Sequence, residues 1–189
     1  MFVHRKIIVF SVLRKIKVDF CSVCIVGKVV LLLVRYCTVM NELSRKIISK
    51  LPYGNDFRFV DEITFVNDNR IVGNYTFRAD APYYASHYPH FAVTPGVLLL
   101  ECMGQIGLVA HLVYIEKIYE RENVALIPSL SNVEVSFYLP VRQGEKVTVD
   151  AQKIYYRAGV LKSDILLQNA KGEECARAIA HLKFVENEK

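Results

Sequence analysis

The chain has 189 residues, 52% of them hydrophobic and 23% charged, with a formal net charge of +5. That length and apolar content exclude a disordered chain and suit one domain with a proper core. Residues 1–39 carry seven Lys or Arg against one acid, Asp19, for +6, so residues 40–189 sum to −1 and nucleic-acid binding is excluded as the main reading.

Residues 1–39 alternate short β-branched runs with bases. Lys28 and Arg35 confine the run "VVLLLV", far short of the roughly 18 apolar residues of a spanning helix. No small-residue cleavage site marks a secretory signal. We read the segment as a basic, apolar leader outside the fold, with Met40 as the natural start and residues 40–189 as a single domain. Peripheral membrane attachment is the competing reading. Cys21, Cys24 and Cys37 lie in the leader and Cys102 and Cys175 in the body. An odd number without a regular framework predicts a reducing compartment, hence the cytoplasm. Cys21-x-x-Cys24 has no second pair, so no metal site is assigned.

From Met40, "MNELSRKIISKLP" places Leu43, Ile47 and Ile48 on one face of a helix ending near Lys50. "FRFVDEITFVNDNRIVGNYTFRAD" predicts two strands around an "NDN" turn. "APYYASHYPHFAVTP" reads as an irregular connection. "GVLLLECMGQIGLVAHLVYIEKIYER" follows as about seven turns of helix, with Thr94 as N-cap and Pro95 as first helical residue. Four strands then begin near Leu126, the last three forming a meander. The helix is apolar nearly all round from Val97 to Val113, which predicts burial. A short helix, a hairpin, one buried helix and a run of strands make an α+β chain, its antiparallel sheet wrapped around the long helix: a hot-dog fold.

Glu101 stands in the second turn of that apolar helix, and a carboxyl group there is costly to bury unless it is held by hydrogen bonds. Gln105, four residues on, can supply one. His87 lies just ahead, in a Pro-punctuated stretch. A poised carboxyl and a histidine are the usual partners of general acid–base chemistry. Equally, a lone Glu near a helix start suits the helix dipole, and His87 can be a plain loop residue. Spacing alone leaves both open. His87-x-x-His90 lacks further metal ligands, and His111 and His181 read as structural.

The stretch "HYPHFAVTPGVLLLECMGQ" resembles the signature of the hot-dog 3-hydroxyacyl-[acyl-carrier-protein] dehydratases, the FabZ type and its FabA relative. That signature runs His-Phe-Pro-Gly, then Met-Pro-Gly or a variant, then an acid and Gln, with the His-to-acid spacing preserved here. "LPYGNDFRFVDEI", "APYYASHYP" and "VSFYLPVRQGEKVTV" resemble further family segments, so the likeness covers about Leu51 to Val185. It implies His87 as general base, Glu101 as the acid assisting departure of the hydroxyl, and the Gly96 N–H as the thioester oxyanion donor, with Gln105 and Pro95 in support. It also implies a homodimer or higher homo-oligomer with sites shared between subunits, an acyl carrier protein as partner, and no cofactor or metal. His90, Thr94 and Tyr88 replace the family's Gly, Met and Phe.

Phe57, Phe59, Tyr83, Tyr84 and His90 are candidates for the acyl tunnel. The expected activity is conversion of 3-hydroxyacyl to trans-2-enoyl thioesters, in fatty-acid or related polyene synthesis. Competing expectations are a hot-dog acyl thioesterase and a non-catalytic acyl-binding subunit.

Overall fold

A computed structural model describes residues 37–88, 90–122 and 127–185. The chain divides into two units, Met1–Val39 and Met40–Lys189, and the second holds the elements that follow. The expectations for the leader fall almost wholly outside the described residues.

Helix α1 includes residues 40–49 and buries Ile47 completely, with Leu43 and Ile48 packed against the core. Its Ser44 Oγ accepts a hydrogen bond of 2.9 Å from the Ile63 N–H, which ties the helix to the first strand. Strands β1 (Glu62–Val66) and β2 (Arg70–Thr76) form the expected hairpin. The Asn67 side chain closes its turn by accepting from the N–H groups of Asn69 and Arg70, both at 2.8 Å.

The stretch expected to be irregular contains a one-turn helix, α2 (Tyr83–His87), entered through Pro82. Helix α3 (Gly96–Ile115) follows. Four strands complete the chain: β3 (Ile127–Phe137), β4 (Lys146–Arg157), β5 (Val160–Gln168) and β6 (Glu174–Val185). All pairings are antiparallel in the order β1-β2-β4-β5-β6-β3, with β4-β5-β6 as the meander.

Strand alternation decides what the sheet wraps. Leu161, Ile165 and Leu167 of β5 point inward at every second position, as do Val147, Val149 and Ala151 of β4 and Ala176, Ala178 and Ala180 of β6. Against them lie Leu99, Cys102, Met103, Ile106, Leu108 and Leu112 of α3. The close approach needs a glycine at position 107, where a Cβ would sit 3.0 Å from Ala151 Cβ and Ile165 Cγ2. This antiparallel α+β wrap is the hot-dog fold expected from the element order. The helix is long and apolar enough to cross a membrane, with a mean hydropathy of 1.7, yet 67% of that window is buried within the protein.

Two features of α3 differ from expectation. A π segment, Gln105–Ala110, interrupts it, its wider i→i+5 bonding shifting the later faces relative to the earlier ones. The helix stops at Ile115 instead of running to Arg121, because Lys117 takes a left-handed conformation (φ 52°) and a 3₁₀ turn, Ile118–Glu120, replaces the last turn.

The wrap is incomplete at β3. Leu130, Val133 and Phe137 pair with inward-facing Leu182, Ala180 and Ala176, so they share the helix side of the sheet. They are nevertheless 48%, 37% and 49% exposed, and Val97 near the start of α3 is 73% exposed. This leaves an apolar face uncovered in the single chain.

Candidate active site

Gln105 fixes the acid. Only 1% exposed, it accepts from the Phe59 N–H at 2.7 Å and donates to the Phe57 carbonyl at 2.8 Å and to Glu101 Oε1 at 2.9 Å. The i,i+4 spacing on α3 supplies the last bond, and the strand-entry segment 57–59 supplies the other two. Every polar atom of the Gln105 side chain is thereby engaged, and the Glu101 carboxyl group has one oxygen held.

Glu101 lies on the wall of a cleft of about 280 Å³. One side is a face of α3, with Val97, Leu100, Gly104 and Leu108; the sheet supplies Leu130, Ile165, Ala180 and Leu182. Tyr53 closes another side. Burial pushes the Tyr53 hydroxyl upward from its ordinary pKa, so it stays neutral beside Glu101. The arrangement is a single carboxyl group in a mostly apolar slot, suited to a substrate with a hydrocarbon tail and one reacting polar end.

The His87 side chain ends α2 and is exposed, its ring 4.0 Å from that of Tyr88 by centroids. It is absent from the cleft lining, as is exposed His90. Within one chain, Glu101 and Gln105 are brought together and His87 is not joined to them. Gly96 heads α3, so its N–H has no intrahelical acceptor. The Phe137 ring would lie 3.1 Å from a Cβ at Gly96, which keeps this helix end free of a side chain.

The connection between His87 and Gly96 is tethered at several points. Tyr84 Oη and Thr94 Oγ1 are 2.6 Å apart, and the Thr94 N–H donates to the Val141 carbonyl at 2.8 Å. Val93 forms a β-bridge with Arg142, whose guanidinium stands 5.9 Å from the Phe91 ring. These contacts correct the expected helix start: the Thr94 hydroxyl serves Tyr84 instead of capping α3, and Pro95 holds the N-cap position with Gly96 as first helical residue.

The tunnel candidates occupy other places. Phe59 is buried in an aromatic cluster with Phe57, Tyr75 and Phe77, at centroid distances of 5.1, 5.3 and 6.2 Å. Phe57 is half exposed, and Tyr83 rests on Tyr84 at 4.6 Å. None of these lines the cleft. Sequence reasoning missed Tyr53 and Leu100; Leu100 adjoins Glu101 in the chain, whereas nothing local links Tyr53 to it, and Gly104 stands where its missing side chain lets a ligand come close. Among the described residues, no group of three or more His, Cys, Asp or Glu side chains could hold a metal ion.

The span that builds this wrapped helix and its acid also matches a known family model. Residues 51–172 fit the FabA-like domain, and the chain belongs to that family. A 3-hydroxyacyl-[acyl-carrier-protein] dehydratase FabZ of Albidiferax ferrireducens is 27% identical over 120 residues, covering 62% of this chain and 77% of that protein. The chain is thus of the FabZ dehydratase kind, a hydro-lyase by class. Among solved structures, the dehydratase heterocomplex ApeI:P from Xenorhabdus doucetiae matches with a TM-score of 0.59 at 14% identity, covering 72% of this chain and 89% of that one. A hypothetical thioesterase protein with coenzyme A from Streptococcus pneumoniae matches at a TM-score of 0.50 and 12% identity, over 68% and 88% of the two chains. At these identities the likeness is one of fold.

Proposed function

We propose that the protein is a cytoplasmic 3-hydroxyacyl thioester dehydratase acting on chains borne by an acyl carrier protein. His87 takes the α-proton, which the thioester carbonyl acidifies. Electrons pass into the carbonyl, and the Gly96 N–H at the head of α3 receives the developing negative charge. The electron pair then forms the Cα–Cβ double bond as the 3-hydroxyl departs with a proton from Glu101, giving water and the trans-2-enoyl thioester. The proton on His87 returns to Glu101 through solvent, and both groups are reset. The observation that carries this reading is Glu101 itself, held by fully engaged Gln105 on the wall of an apolar cleft.

A homodimer is part of the proposal. The uncovered face of Leu130, Val133 and Phe137, with Val97, is apolar enough to seat a second copy, and His87 is exposed to meet a partner's Glu101. Cytoplasmic placement and the carrier protein rest on the same family reading.

The test is turnover of a 3-hydroxyacyl-carrier-protein, followed by mass for loss of one water, in wild type, His87→Ala and Glu101→Gln. Both variants are expected to lose roughly 10²–10⁴-fold. Refolding the two inactive variants together in equal amounts should restore about a quarter of wild-type activity. Half the dimers are then mixed, and each has one intact site of two. No recovery on mixing overturns the shared site. Release of free acid would make the protein a thioesterase, and acyl binding without product a non-catalytic subunit.

A further inference from the structure

Gly104 sits inside α3 with ordinary helical dihedrals (φ −66°, ψ −45°), so the backbone does not require glycine there. A Cβ built at this position meets nothing within 4 Å, so packing within the chain does not require it either. Three residues on, Gly107 is pressed against Ala151 and Ile165. A helix-interior glycine with neither excuse is a poor choice, since only proline is a weaker helix former.

What Gly104 faces explains it. It lines the cleft one turn beyond Glu101 on the same side of α3, between Leu100 and Leu108. The opposite wall also carries a small residue, Ala180, within a row of inward-facing alanines on β6. A tail extending from a reacting end at Glu101 toward Leu108 must pass these two positions, over roughly 10 Å of helix at its usual rise.

Building on the dehydratase reading, we propose that Gly104 is a specificity-determining position. Its missing side chain keeps the channel open past the first turn, so that the enzyme accepts acyl tails longer than the few carbons at the reacting end. Any side chain at 104 enters the space the tail would fill.

The experiment compares kcat/KM for 3-hydroxybutyryl and 3-hydroxydecanoyl carrier-protein thioesters in full-length wild type, Gly104→Ala and Gly104→Leu. The decanoyl-to-butyryl ratio is expected to fall by several-fold in Gly104→Ala and by roughly 10-fold or more in Gly104→Leu, the discrimination available to a filled hydrophobic pocket. Melting temperature is the second readout. Gly104→Ala should raise it by about 2–4 °C, because the helix gains and no contact is lost. An unchanged ratio overturns the proposal. So does a lowered melting temperature in Gly104→Ala, or a changed sedimentation coefficient in Gly104→Leu, either of which would assign the space to packing or to a subunit contact. Should wild type turn over neither thioester, the dehydratase reading fails, and the channel is then tested by displacement of a dansyl-labelled decanoyl chain. Weaker binding in Gly104→Leu supports the proposal there, and equal binding overturns it.

Discussion

The two halves of the proposed acid–base pair are held in opposite ways. Glu101 projects from a buried helix and is fixed by Gln105, which is itself fixed by two backbone bonds from residues 57–59. His87 ends a five-residue helix at the surface, its ring beside that of Tyr88. The chain's own core therefore organises the acid in advance, while the base depends on whatever covers the surface around α2. Stability and activity should separate accordingly: damage near Glu101 costs both, and damage at His87 costs activity alone.

Gln105→Met breaks the first half most severely. The side chain keeps its volume but leaves the buried Phe59 N–H and the Phe57 carbonyl without a partner and frees Glu101. Orphaned backbone groups cost about 1–3 kcal/mol each, so unfolding free energy is expected to fall by roughly 3–4 kcal/mol in denaturant melts. Turnover should fall as well, since the acid loses its position. His87→Ala measured in the same melts should stay within about 0.5 kcal/mol of wild type, as exposed positions do. Equal losses of stability in both variants would erase the contrast.

A second histidine sharpens it. His111 is fully buried in α3, its Nε2 at 2.9 Å from the Asn67 carbonyl oxygen and its Nδ1 without a partner among the described residues. Burial pushes its pKa down from 6.5 to about 4. The unfolded chain therefore binds a proton between those values that the folded protein refuses. Stability from this group is complete above pH 6.5 and drains away as pH falls toward 4, by about 3 kcal/mol at about 1.4 kcal/mol for each pH unit. Urea titrations at several pH values should show that slope in wild type and lose it in His111→Leu. A slope unaffected by the substitution would assign acid sensitivity to other groups.

Much of this was legible in the chain itself. Alternation in β5 and the nearly all-round apolar character of α3 are one-dimensional patterns, and they marked the sheet, the buried helix and their order. The i,i+4 relation of Glu101 and Gln105 was equally readable, because both lie on one helix. The cleft walls were not. Phe57 and Phe59 looked like tunnel residues by composition, yet Phe57 ends a 3₁₀ turn and is half exposed while Phe59 is buried in the aromatic core, and Tyr53, four residues before Phe57, lines the cleft with Glu101. Helix α2 is a single turn beside prolines, too short to show a period. Thr94 has the chemistry of a cap, and only the folded chain reveals that Tyr84 claims its hydroxyl. The end of α3 at Lys117 and the π segment likewise depend on contacts far apart in sequence.

The Tyr84–Thr94 pair provides the mildest test, because it ties the two ends of the connection that runs from α2 to the head of α3. Tyr84→Phe removes the 2.6 Å hydrogen bond to Thr94 together with the one to Tyr83 and leaves the ring packed, so a loss of about 1–2 kcal/mol is expected. Thr94→Val removes the same bond and leaves the Tyr84 hydroxyl its hydrogen bond with Tyr83, so it should cost a similar amount. If the bond is their only link, the double variant should cost less than the sum of the two, with a coupling of about 0.5–1 kcal/mol in a double-mutant cycle. The activity readout separates tether from packing. A connection that holds His87 in place should, when loosened, lower kcat with little change in KM, because the base is displaced while the cleft at Glu101 is untouched. Unchanged kcat in both single variants would mean that the Val93–Arg142 bridge and the Thr94–Val141 hydrogen bond suffice to place His87, with the hydroxyl pair serving stability alone.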